Sequence, residues 1–132
     1  QLGSHLALGV RVALGSDVGA GTGFSLFKEG LQAYFVQQLL GREGHKLSSR
    51  HLLHLATAAG ADVLGLSDVI GDFSIGKQFD ALWLRPPAGS TLDVALRHAD
   101  SDDDALAKAF ALAGPADVAA TWVAGERITV SG

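Results

Sequence analysis

Apolar residues fall into runs whose spacing switches between strand-like and helix-like along the 132-residue chain. Residues 10–14 (Val-Arg-Val-Ala-Leu) read as a buried strand, since β-branched and apolar side chains dominate and Gly15 ends the run. Glycines at 15, 19, 21 and 23 follow, so this backbone is free to take positive φ or to approach a ligand closely. From 25 to 40 the apolar positions Phe27, Leu31, Tyr34/Phe35 and Leu39 recur at helical spacing. Gly30 weakens that helix by roughly 1 kcal/mol relative to alanine. Residues 41–46 are a polar loop. A second helix is expected to begin near Ser48, a good N-cap residue, with Leu52, Leu55, Ala56 and Ala59 on one face and Gly60 and Gly65 marking its end.

Beyond Gly65 the chain is rich in turn residues until 79–84, which read as a strand that Pro86 and Pro87 stop. Residues 91–113 are Ala/Leu-rich and helical in spacing, with acidic residues at Asp100, Asp102, Asp103 and Asp104. The acidic group is most simply a solvated helix start, where carboxylates complement the dipole. Residues 121–130 read as a hairpin turning at Gly125-Glu126, a Gly-first two-residue turn. Trp83 and Trp122 fall on strands and are expected in the core or at a domain interface.

Composition narrows the function classes. Ten basic and fourteen acidic residues give a net charge of −4, which argues against nucleic acid or an anionic membrane as partner. The absence of cysteine excludes disulfides and thiolate metal sites and fits a cytoplasmic protein. No apolar run approaches the roughly 18 residues that span a bilayer, and no stretch reads as a secretory signal. The chain starts at Gln1 and contains no methionine, so it is expected to be a piece of a longer polypeptide.

Asp17 is the leading candidate for chemistry. It stands just past the 10–14 run and just ahead of the glycine loop, as a catalytic carboxylate does at the C-terminal mouth of an α/β-barrel strand. Taken alone, an aspartate here also suits a turn or a helix N-terminus. The glycine loop lacks the Lys-Ser/Thr ending of a P-loop, and its Gly19-Ala-Gly-Thr-Gly order is not a dinucleotide fingerprint. His51 and His54 lie three apart on the expected helix, a spacing that points to structural or surface roles. Asp80, at the start of a strand, is expected to serve in structural hydrogen bonding.

Two stretches carry a family resemblance. One is Leu14-Gly-Ser-Asp-Val-Gly-Ala-Gly; the other runs from His54-Leu-Ala-Thr-Ala-Ala-Gly through Ile70-Gly-Asp-Phe-Ser-Ile-Gly-Lys-Gln-Phe-Asp-Ala-Leu-Trp-Leu. Together they resemble the C-terminal signature of the metal-dependent amidohydrolase superfamily. The Asp-Val-Gly-Ala-Gly and Gly-Lys-Gln-Phe-Asp-Ala wording is similar to its guanine deaminase branch. The resemblance covers most of 8–85 and 115–130, whereas 88–113 match only in being helical. It implies an α/β fold, with residues 1–64 supplying the last strand and following helices of a (β/α)8 barrel. Residues 65–132 then supply strands of a small β-sandwich domain, with a helical excursion near 91–113.

The resemblance further implies hydrolytic deamination of guanine to xanthine and ammonia, with one zinc ion activating water. Such an ion lowers the pKa of its bound water to about 7. Asp17 would be the metal ligand and proton carrier, and the partners a small purine substrate and, as in the branch generally, a second subunit in a homodimer. The family's His-x-His pair, third histidine and general-acid glutamate are not identifiable. The five histidines are His5, His45, His51, His54 and His98, and no two are separated by a single residue. The chain alone is therefore expected to be inactive, with no retained zinc and with its substrate-reading residues unassigned. Two other readings stay open: an amidohydrolase piece acting on another aminopurine, a pterin or a triazine-like ring, and a non-catalytic structural or interaction module. Outside a closed barrel, the 10–14 strand would leave exposed edges, so aggregation of the isolated chain is expected.

Overall fold

The structure is a computed structural model that describes residues 2–21 and 23–128. Short helix α1 (Leu2–Ala7) leads into residues 10–16, which have no regular secondary structure. The strand expected at 10–14 is thus not formed. A strand exists through its ladder, and no described segment lies alongside this one to pair with it. Val12, Ala13 and Leu14 are half-buried, as side chains of a packed but unpaired segment would be.

Helix α2 (Leu26–Leu39) appears where the periodicity placed it. Its inner side carries Phe27, Ala33 and Tyr34 to the core, while Phe35, Val36 and Leu39 are exposed. Helix α3 (Ser49–Ala56) begins at Ser48 with a capping box. The Ser48 hydroxyl accepts from the His51 N–H (3.3 Å), and the Ser48 N–H donates to His51 Nδ1 (3.2 Å). The expected continuous helix breaks at Thr57, whose φ of −132° and ψ of −94° are not helical, and α4 (Ala58–Val63) follows. Leu52 and Ala59 are both buried, but on separate helices.

Strand β1 (Ala81–Leu84) occupies the expected place. The helical region that follows is two helices, α5 (Thr91–Arg97) and α6 (Asp102–Leu112). Ser101 caps the second, accepting from the Asp104 N–H at 3.1 Å, so the acidic residues 102–104 do sit in a first helical turn. Asp104 pairs with Lys108 at 2.7 Å, and Asp103 pairs with Arg50. Strands β2 (Val118–Val123) and β3 (Glu126–Ile128) complete an antiparallel sheet in the order β1-β2-β3. Ala81 pairs with Trp122 and Trp83 with Ala120, and a bulge after Trp83 brings Leu84 opposite Val118.

The hairpin turns one position earlier than expected, at Ala124 and Gly125, between pairs Val123–Glu126 and Trp122–Arg127. Both turn residues have positive φ, 52° and 82°, the pattern of a type I′ turn. Two bonds from the entry to β1 hold it there: Asp80 Oδ1 accepts from the Ala124 N–H at 2.7 Å, and the Phe79 carbonyl accepts from the Gly125 N–H at 2.9 Å. Asp80 thus has the structural role expected of it. The expected strand residues 129 and 130 lie outside the described residues.

The hydrophobic core joins Leu47, Leu52 and Phe110, with Phe27, Leu55 and Leu106 around them. Helix α6 therefore packs on α2 and α3 although it is inserted between two strands of the sheet. Phe110 meets the Phe27 ring edge-to-face at 5.3 Å, a favoured aromatic arrangement. Trp122 makes a similar contact with Phe79 at 5.7 Å. Trp83 is half exposed, with the Arg85 guanidinium 6.0 Å from its ring.

Candidate functional site

Asp17 opens a tight turn. Among the described residues it is one of two non-glycine residues at positive φ, at 48°, a region aspartate tolerates better than most residues. Its carbonyl accepts from the N–H groups of Ala20 (3.0 Å) and Gly21. Gly21 is required: a Cβ there would collide with the Ser16 carbonyl oxygen. The glycine loop is thus used for close backbone approach, and its effect is to present the Asp17 carboxylate to solvent at the end of the 10–16 segment.

Three anchors hold that segment in place of a ladder. The Val10 N–H donates to the His5 carbonyl at 3.0 Å. Arg11 Nη1 donates to the Asp62 carbonyl at 2.7 Å and lies 3.4 Å from its carboxylate. The Leu14 N–H donates to the Leu55 carbonyl on α3 at 2.9 Å. Sequence reading passed over Arg11; the available signal was a charged residue in the middle of an otherwise apolar run.

None of the histidines joins Asp17 in a site. His5 lies on α1, His51 and His54 on α3, and His98 at the C-terminal cap of α5. His45, His51 and His54 line an apolar cleft of about 320 Å³ beside Leu47 and Leu55, which Asp17 does not enter. The His45 and His51 rings are 6.4 Å apart, and His51 Nδ1 is engaged in the helix cap. Among the described residues no group of three His, Cys, Asp or Glu side chains is placed to hold a metal. A zinc centre takes at least three protein ligands, and the described residues do not assemble such a set.

The shifted acidities lie elsewhere. Lys77, then Ser74, hold the Asp72 carboxyl well below the usual carboxylate range, and Lys108, then the Asp100 N–H, lower that of Asp104. Both groups belong to structural ion pairs, Asp72–Lys77 and the part-buried Asp104–Lys108.

The Amidohydrolase family model matches residues 2–128. A probable guanine deaminase from Deinococcus radiodurans is 65% identical over 121 residues, which are 92% of this chain and 28% of the relative. The guanine deaminase of Escherichia coli is 34% identical over 119 residues, 90% of this chain and 26% of that protein. The solved structure of E. coli guanine deaminase superimposes with a TM-score of 0.90 at 32% identity, covering 98% of this chain and 29% of the other. The chain thus spans between a quarter and a third of the length of these relatives, and the barrel fold of which it is a part is theirs. With the family model matched almost from end to end, the chain belongs to the amidohydrolase family.

Proposed function

We propose that these residues are the C-terminal part of a zinc-dependent guanine deaminase, a cytoplasmic purine-metabolising hydrolase that converts guanine to xanthine and ammonia and acts as a homodimer. The observation that carries this reading is the 65% identity to the Deinococcus radiodurans relative over nearly the whole chain. The conformation of Asp17 supports it, since a left-handed turn closed by Gly21 leaves the carboxylate unobstructed. In this reading Asp17 is the metal ligand and proton carrier that the chain contributes. The other ligands and the groups that read the purine belong to polypeptide outside residues 1–132, and the chain alone is inactive.

The test uses the full-length protein that carries these residues. Guanine is expected to be converted to xanthine, with about one zinc per subunit by elemental analysis. Asp17→Ala is expected to abolish turnover and reduce bound zinc while leaving the fold intact by circular dichroism. Deamination of adenine or of a triazine without any turnover of guanine would refute the assignment of substrate. Unchanged zinc and activity in Asp17→Ala would refute the assignment of the residue.

A further inference from the structure

The capping box of α3 uses histidine at the position where glutamate or glutamine is usual. His51 is the third residue of the helix, and its ring reaches back so that Nδ1 accepts the Ser48 N–H at 3.2 Å. The Ser48 hydroxyl in turn accepts the His51 N–H at 3.3 Å. An imidazole nitrogen accepts only when it carries no proton, so this cap holds the neutral ring with its hydrogen on Nε2. A glutamate or glutamine would keep its acceptor at any pH near neutral; a histidine does not. Protonation puts an N–H on both ring nitrogens, and Nδ1 then meets the Ser48 N–H donor to donor. It also places a cation in the first turn of a helix, where the free backbone N–H groups already carry positive potential. The two effects have the same sign, and both act against the cap.

We propose that His51 makes the start of α3 proton-sensitive: the cap is closed while the ring is neutral and opens when the ring takes up a proton, over the mildly acidic range in which histidine changes charge. The charged groups around it do not offset this. Arg11, His45, His54 and Asp62 line the same cleft as His51. Arg11 and Asp62 pair with each other at 3.4 Å. The His45 ring is 6.4 Å from that of His51, so a second imidazolium there would add repulsion, and Lys46 precedes the cap in the same loop. From α6, Asp103 faces the first turn of α3, but its carboxylate is bonded to Arg50 and its carbonyl accepts the Ser49 hydroxyl at 2.9 Å. Asp102 adds to the negative charge beside the same arginine. The carboxylates of Asp62 and Asp103 thus each have an arginine partner already. The proposal is independent of the role of Asp17 and of the substrate.

The experiment compares wild type, His51→Gln and His45→Gln in the full-length protein that carries these residues. Ring nitrogen shifts of His51 are followed by NMR, together with exchange of the Ser48 amide corrected for the intrinsic effect of pH. The Ala61 amide, bonded to the Thr57 carbonyl on α4 at 3.1 Å, serves as reference. At about pH 8 the His51 ring is expected to carry its hydrogen on Nε2, with Nδ1 bare. On lowering the pH to about 5, protection at Ser48 is expected to fall about fivefold, in step with the His51 ring and with Ala61 steady. His51→Gln keeps an acceptor that does not titrate, and is expected to hold Ser48 protection constant over the same range. His45→Gln is expected to leave the fall in place. A hydrogen on Nδ1 at about pH 8 would overturn the proposal. So would steady Ser48 protection while the His51 ring titrates, or a fall that persists in His51→Gln. The wild-type ring and amide measurements decide even where a variant does not fold.

Discussion

Replacing Asp80 with alanine removes the acceptor that holds the β2–β3 turn against the start of β1. The bond is short, 2.7 Å from the Ala124 N–H to Asp80 Oδ1, and its acceptor carries charge. Such bonds contribute about 1.5–3 kcal/mol when shielded, and this one is exposed, so about 1 kcal/mol is the expected loss. Ala124 makes the loss local. It sits at φ 52°, where an alanine is strained by about 1–2 kcal/mol, and its partner bond helps keep it there. A loss of about 1 kcal/mol corresponds to roughly fivefold faster local opening. The reporter is amide exchange at Gly125, which keeps its own bond to the Phe79 carbonyl, with Leu52 on α3 as an unaffected reference. Asp80→Asn retains an acceptor and is expected to lose less than half as much. Ala124→Asn is expected to slow exchange, because asparagine tolerates the left-handed region that a type I′ turn demands. Unchanged Gly125 exchange in Asp80→Ala, or faster exchange in Ala124→Asn, would refute this account of the turn.

Three further outcomes are expected. Ser48→Ala removes the hydroxyl half of the α3 capping box and is expected to cost about 1 kcal/mol, read as faster exchange of the His51 and Leu52 amides; no change would show that the cap is not formed in solution. The Asp72 carboxyl, bonded to Lys77 Nζ at 2.7 Å and to the Ser74 N–H at 2.9 Å, is held below its ordinary value. Its contribution is therefore complete above the unfolded-state value of about 3.9 and is lost as pH falls below it toward the folded one. A carboxyl carbon titration of Asp72 by NMR is expected to show this low midpoint, and Lys77→Met to raise it; an unmoved midpoint in Lys77→Met would refute the pairing. Finally, residues 1–132 alone leave Phe24 and Leu39 at 85% and 87% exposure, so the isolated chain is expected to self-associate in size-exclusion chromatography; a monomer with one cooperative unfolding transition would refute this.

Local chemistry was legible in the residues themselves. The period of Phe27, Leu31 and Tyr34 specifies α2, and Ser48 specifies the start of α3, because helices and caps are made by groups within four residues of one another. The glycine loop after Asp17, and the blocks around Leu55 and Gln78 that point to the family, are likewise local. What depends on partners distant in sequence was decided by tertiary structure. Residues 10–14 have the composition of a strand, yet strands are made by neighbours, and among the described residues Arg11 and Leu14 are tied to helices instead. The hairpin turn moved to Ala124 and Gly125 because Phe79 and Asp80, more than forty residues earlier, supply its acceptors. Helix α6 could be read as a helix, but not as the element whose Phe110 closes over Gly30, since that fit depends on the absence of a side chain eighty residues away. Asp17 shares both origins: its residue type and loop are written locally, whereas the segment that carries it is held by long-range bonds from Arg11 to Asp62 and from Leu14 to Leu55.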